Sequence, residues 1–90
     1  MAQGNSKMSK GVEAFILIEA KAGKALNVTR QVAKIKGVRA SYAVTGPYDI
    51  IVHVEAPDFK SIAQLVVAKI QGLASIARTI TCTVIETGQP

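Results

Sequence analysis

The chain contains one unit twice. Ile18-Glu19-Ala20 returns as Val54-Glu55-Ala56, and Ala33-Lys34-Ile35-Lys36-Gly37 returns as Ala68-Lys69-Ile70-Gln71-Gly72, at offsets that differ by a single residue. A repeat of this length and order requires two copies of one supersecondary element, so the chain cannot be read as a string of unrelated strands and helices. The hydropathy pattern says which element it is.

Val12–Glu19 reads as a strand, with Val12, Ala14, Ile16 and Ile18 alternating against Glu13, Phe15, Leu17 and Glu19. Lys21–Lys24 is a connection containing Gly23, and a helix is predicted from there to Lys36. Ala25, Val28, Val32 and Ile35 recur in it at helical spacing, widened by Leu26 and Ala33. Gly37 suits the left-handed position that closes such a helix. Two β-patterned runs follow, Val38–Thr45 and Tyr48–Glu55. Asp58 is a good N-cap for a second helix with Phe59, Ile62, Ala63, Val66 and Ile70 on its buried stripe and Gly72 at its end. Ile76–Ile85 reads as the last strand. Each half is therefore a βαβ unit, and the pair predicts an α+β ferredoxin-like βαββαβ fold: a four-stranded antiparallel sheet with two helices on one face. Residues 1–10 lack periodicity and are expected to form a flexible tail, 11–86 a single domain, and 87–90 a short polar end.

Val44-Thr45-Gly46-Pro47-Tyr48-Asp49 joins the two middle strands. Glycine accepts unusual φ values and proline fixes φ, so Gly46-Pro47 is a turn signal. The turn places a glycine backbone, a phenol and a carboxylate at one end of the sheet. A glycine N–H can approach an anion, and Asp49 can hold a cation; a zwitterion such as a free amino acid offers both. A plain hairpin turn with polar trim is the competing account of the same residues.

The alternation also assigns faces. Away from the helices it sets Glu13, Phe15, Leu17, Ile51 and His53 from the central strands, Ser41 and Ala43 from one edge, and Thr79, Thr81 and Thr83 from the other. Ile76, Ile80, Cys82 and Val84 are expected to face the helices. Phe15, Leu17 and Ile51 are too much apolar surface for a wet sheet face, so a second copy is expected to cover it in a two-fold dimer whose interface includes Phe15, Leu17, Ile51 and His53. A domain of 90 residues is small enough for oligomerisation to supplement its core.

Here the chain resembles a known family. Val44-Thr45-Gly46-x-Tyr48-Asp49 before an apolar strand, then Lys69-Ile70 and Arg78-Thr79-x-Thr81-Cys82, is similar to the effector-binding (RAM) domain of Lrp/AsnC, or feast/famine, transcriptional regulators over residues 12–85. The resemblance implies a dimeric α+β barrel type of ferredoxin-like domain, paired through its sheets, assembled into rings of dimers, and binding a free amino acid between dimers. Carried onto this sequence, it implies that backbone N–H groups near Gly46 hold the ligand carboxylate and that Asp49 pairs with its ammonium. Thr45, Tyr48, Thr79 and Thr81 then add hydroxyl contacts, some from a neighbouring subunit; β-branched strand filler is the other reading of the threonines. Family regulators carry an N-terminal helix-turn-helix, for which residues 1–10 are too few. A stand-alone effector-binding member is expected, without sequence-specific nucleic acid binding of its own, acting through mixed assembly with a full-length DNA-binding relative.

Other classes fit less well. Small cofactorless monooxygenases and isomerases share this size and architecture. Here the single histidine, His53, falls on the face away from the helices, and Cys82 is expected in the core, so no catalytic residue is assigned. No metal-ligand cluster and no cofactor motif is present, and none is expected. Binding RNA on the sheet needs exposed aromatics on the central strands, and Phe15 is the only one placed there. The net charge of +5, concentrated in Lys7, Lys10, Lys21, Lys24, Arg30, Lys34 and Lys36, is either a solvated face or a weak attraction to polyanions. One cysteine, a polar Met1–Lys10 and no apolar run near the ~20 residues of a membrane span point to the cytoplasm and away from membranes.

Overall fold

The computed structural model describes residues 11–88; the expected tail at 1–10 lies outside them, as do residues 89 and 90. Two central strands carry the sheet, β1 (Val12–Ala20) and β3 (Ile50–Ala56), paired antiparallel with Ala14 opposite Val54, Ile16 opposite Val52 and Ile18 opposite Ile50. β2 (Val38–Ala43) flanks β3 and β4 (Ile76–Thr83) flanks β1, giving the order β2-β3-β1-β4 with every neighbour antiparallel. This is the βαββαβ topology that the repeat requires.

Six residues on one face of the central strands, Ala14, Ile16, Ile18, Ile50, Val52 and Val54, are fully buried under the helices. Each of the larger ones contributes about 1.5–3 kcal/mol by leaving water. Helix α1 (Ala25–Ala33) adds Val28 and Val32, while Leu26 and Ala33 point away, narrowing the stripe expected for it. The core is wholly aliphatic, with no buried polar residue among those described. Among the described residues no helix is long and apolar enough to cross a membrane.

The second helix departs from the expected pattern. Asp58 caps α2 (Phe59–Gln64), its carboxylate accepting from the Ser61 N–H at 2.7 Å. The helix then widens into a π-helical run, Leu65–Ile70. Leu65, whose N–H keeps the α-helical bond to the Ser61 carbonyl, joins Ile62, Val66 and Ile70 in the core, whereas Phe59 and Ala63, expected in the stripe, are exposed. Ile62, Leu65, Val66 and Ile70 lie at i, i+3, i+4 and i+8, one helical face rotated from the expected stripe towards Leu65 and away from Ala63.

Both edge strands carry a bulge, and both bulges change which residues face where. In β2 the register steps from Val38 opposite Val54 to Ala40 opposite His53, leaving Arg39 as the extra residue. In β4 it steps from Ile76 opposite Ala20 to Arg78 opposite Glu19, leaving Ala77 extra. One inserted residue inverts the alternation beyond it. Ser41 and Ala43, expected on the open face, therefore pair with Val52 and Ile50 on the helix side, where the Ser41 hydroxyl is buried without a partner. Thr79, Thr81 and Thr83 likewise pair with Ile18, Ile16 and Ala14 on the helix side. Ile80 and Cys82 move the other way, opposite Leu17 and Phe15, so Cys82 is exposed and not a core residue.

Candidate functional site

Hydrogen bonding pins the 44–49 turn to the end of β1. The Val44 N–H donates to the Asp49 carbonyl at 2.8 Å, and the Asp49 N–H donates to the Ile18 carbonyl at 2.9 Å. The Asp49 side chain adds a third tie, Oδ2 accepting from the Ala20 N–H at 2.9 Å. Gly46 has φ +139°, and a Cβ built there would meet nothing within 4 Å. Glycine is needed for the backbone conformation, then, and the space over the turn is open.

The start of β4 closes on this turn. The Arg78 guanidinium lies 5.4 Å from the Tyr48 ring centroid, donates to the Tyr48 hydroxyl at 3.2 Å, and is held from behind by Glu19 at 3.3 Å. Thr79, the next residue, accepts from the Gln71 amide at 2.9 Å and lines a cleft of about 290 Å³ with Gln71, Ile76 and Arg78. Thr45, Gly46, Tyr48 and Asp49 thus come together at one sheet end with Arg78, and Thr79 adjoins them. Thr81 does not join them: it lies farther along β4 in a separate groove with Val66 and Val67. The sequence reading gives Arg78 no role at the site. Its signal was present, since it is the one charged residue in the apolar series Ile76, Arg78, Ile80, Cys82.

The open face has its own organisation. His53 stacks on Phe15 with ring centroids 4.8 Å apart, and its Nε2 lies 2.7 Å from Glu13 Oε1. Glu13 faces Glu55 across the β1–β3 pair, and each carboxylate has a basic neighbour, His53 for Glu13 and Arg39 at 2.7 Å for Glu55. Phe15, Leu17 and Ile51 are joined by Tyr42, Ile80 and Cys82, so the face is more apolar than the alternation implied. Tyr42 adds a second aromatic on an edge strand, leaving Phe15 alone on the central ones. His53 and Cys82 share this face, contrary to expectation. Two strand spacings with Phe15 between them, roughly 10 Å, still keep the imidazole from the thiol. Among the described residues no group of three or more potential metal ligands occurs.

Residues 13–89 match the family described as the Lrp/AsnC ligand binding domain. The chain belongs to the Lrp/AsnC family. An uncharacterised HTH-type transcriptional regulator of Pyrococcus furiosus is 31% identical to this Lrp/AsnC domain over 78 residues, covering 83% of this chain and 52% of that protein. The chain spans about half the length of the curated relatives it matches. Among solved structures, a hypothetical protein of Pyrococcus horikoshii is 35% identical with a TM-score of 0.78, covering 86% of this chain and 93% of that one. A Neisseria meningitidis transcriptional regulator, solved as its L-Met complex, has a TM-score of 0.80 at 20% identity, covering 94% of this chain and 56% of that one. The last likeness speaks for the fold alone. The curated relatives are transcriptional regulators, and the part matched here is the family's ligand binding domain.

Proposed function

We propose that this Lrp/AsnC domain binds a free amino acid at the sheet end formed by the 44–49 turn and Arg78, and that it acts in transcription regulation as a dimer joined through its sheets. The observation that carries the reading is that the turn bearing a carboxylate, Asp49, and an open glycine, Gly46, is met through Tyr48 by a guanidinium, Arg78. An amino acid needs one partner of each sign. Among the described residues only Oδ2 of Asp49 has a hydrogen-bond partner, which leaves Oδ1 to receive a ligand ammonium. Arg78, Thr79 and the N–H groups around Gly46 serve the ligand carboxylate, with Thr45 and Tyr48 at its edge. Such charge-assisted hydrogen bonds contribute about 1.5–3 kcal/mol each. Thr81 enters only through a neighbouring subunit. The match to the Lrp/AsnC ligand binding domain supports a small-molecule effector.

The dimer follows from the open face. Phe15, Leu17, Tyr42, Ile51 and Ile80 on one sheet form a patch that a monomer would leave wet, and a second copy, or the like face of a DNA-binding relative, covers it. His53 sits at that interface as a packing residue, and the domain is no enzyme. It works in the cytoplasm.

A thermal-shift screen of the twenty amino acids tests the ligand. A ligand at a hundred times its Kd stabilises the folded state by about 2.7 kcal/mol, which raises Tm by roughly 11–22 degrees in a domain of this size. At least one amino acid is expected to do so. If none moves the midpoint, the reading fails.

A further inference from the structure

We infer a second ligand site at the opposite end of the sheet, one that takes a small organic anion with an apolar tail, such as a medium-chain carboxylate. β3 separates the two places: it leaves the turn at Ile50 and reaches the second groove at Glu55 and Ala56, roughly 20 Å away. The groove has a volume of about 650 Å³, against about 290 Å³ for the cleft beside Arg78. It falls within the range of roughly 300–1,000 Å³ usual for small-molecule sites.

Two local irregularities build it. The π-helical run Leu65–Ile70 is closed by the Gln71 N–H donating to the Val66 carbonyl at 2.8 Å, five residues back, and Leu65, at its start, packs over the chain at Gly37. Gly37 has φ +99°, and a Cβ there would sit 2.7 Å from Leu65 Cδ1. Both a positive φ and the missing side chain are therefore required for the close approach. π-helical turns are rare and occur often at functional sites. Leu65, Ala56, Pro57 and Ala68 give the groove an apolar lining.

The charges select the ligand. Lys36, from the turn after α1, and Lys69, from the π run, both line the groove, and neither has a carboxylate partner among the described residues. The one acidic lining residue, Glu55, is held by Arg39 at 2.7 Å. Gln64 adds an amide with no hydrogen-bond partner among the described residues. Two uncommitted cations over an aliphatic floor complement an amphipathic anion. A zwitterion's ammonium would have to compete with Arg39 for Glu55, whereas an anion's head group meets two lysines. A nucleotide would want an aromatic wall, and the lining has none.

Decanoate, used below its micelle concentration, is the probe. Calorimetric titration of the whole chain should show saturable binding, with decanol at least tenfold weaker because it lacks the charge. Lys36→Glu with Lys69→Glu should weaken decanoate at least tenfold, and Ala68→Trp, a bulky residue at an exposed lining position, should abolish binding. Should Ala68→Trp fail to fold by circular dichroism, the paired lysine variant, which changes only exposed side chains, decides the matter. Asp49→Asn should leave decanoate affinity unchanged, so that failure here is separable from failure at the turn. Absence of decanoate binding overturns the proposal. So does binding that survives the lysine changes, or amide chemical-shift changes that cluster at Asp49 and Arg78 rather than at Ala56 and Ala68.

Discussion

The Asp49 carboxylate accepts a hydrogen bond from the Ala20 backbone N–H at 2.9 Å, so the residue proposed to bind a ligand also fastens the hairpin turn to the end of β1. The two roles use different requirements and can be separated. Asp49→Asn keeps an acceptor for Ala20 and loses the charge. Its melting temperature should stay near that of the wild type, while affinity for the amino acid found in the screen falls about ten- to a hundredfold, the equivalent of roughly 1.5–3 kcal/mol. Asp49→Ala leaves the Ala20 N–H without its partner and should also lose about 1–3 kcal/mol of stability. Titration calorimetry and thermal melts on the same samples check both. Unchanged affinity in Asp49→Asn removes Asp49 from the site.

The open face makes a sharper prediction now that the bulge in β4 is known. Light scattering should give a mass at least twice the 9.5 kDa of one chain. Leu17→Lys, Ile51→Lys and Ile80→Lys each bury a charge without a partner and should dissociate or unfold the protein. Thr81→Lys, on the other face of the same edge strand, should leave the dimer intact. The reverse pattern for Ile80 and Thr81 would invert the face assignment.

Cys82 reports on the same surface without a large perturbation. It is exposed in one chain and lies opposite Phe15, inside the patch that a second copy covers. Its thiol should react with a disulfide reagent at least tenfold more slowly in the wild type than in a folded, dissociated Leu17→Lys variant. Equal rates would place Cys82 outside the interface.

Asp58 gives a pH dependence. The Ser61 backbone N–H, and then the Ser61 side chain, stabilise its charged form and hold its carboxyl below the ordinary carboxylate value. A lowered folded-state value means that its contribution is fully present above the unfolded-state value and is lost as pH falls through the folded-state value. Asp58→Ala should melt below the wild type at neutral pH, and the gap should close as the solution becomes acid. Asp58→Asn, a pH-insensitive cap, should hold its advantage over Asp58→Ala throughout. A wild-type gap over Asp58→Ala that does not change with pH would show that the charged cap adds nothing.

Much of this protein is decided within short stretches of sequence. The repeat, the alternation in Val12–Ala20 and Ile50–Ala56, and the Asp58 cap depend on neighbours in the chain, and each leads to the structure observed. The 44–49 turn is legible for the same reason: Gly46 needs its positive φ whatever lies around it. What the sequence alone could not settle depends on register against another segment. Arg39 and Ala77 look like ordinary strand residues, and only pairing with His53 and Glu19 shows that each is an extra residue that turns the rest of its strand over. Leu65 is buried because it packs against the chain at Gly37, and Arg78 reaches Tyr48 because two distant stretches end at the same edge of the sheet. Alternation and helical period carry a residue's direction only while the spacing is regular. One inserted residue or one wide turn resets that direction, and packing across the sheet determines where it occurs.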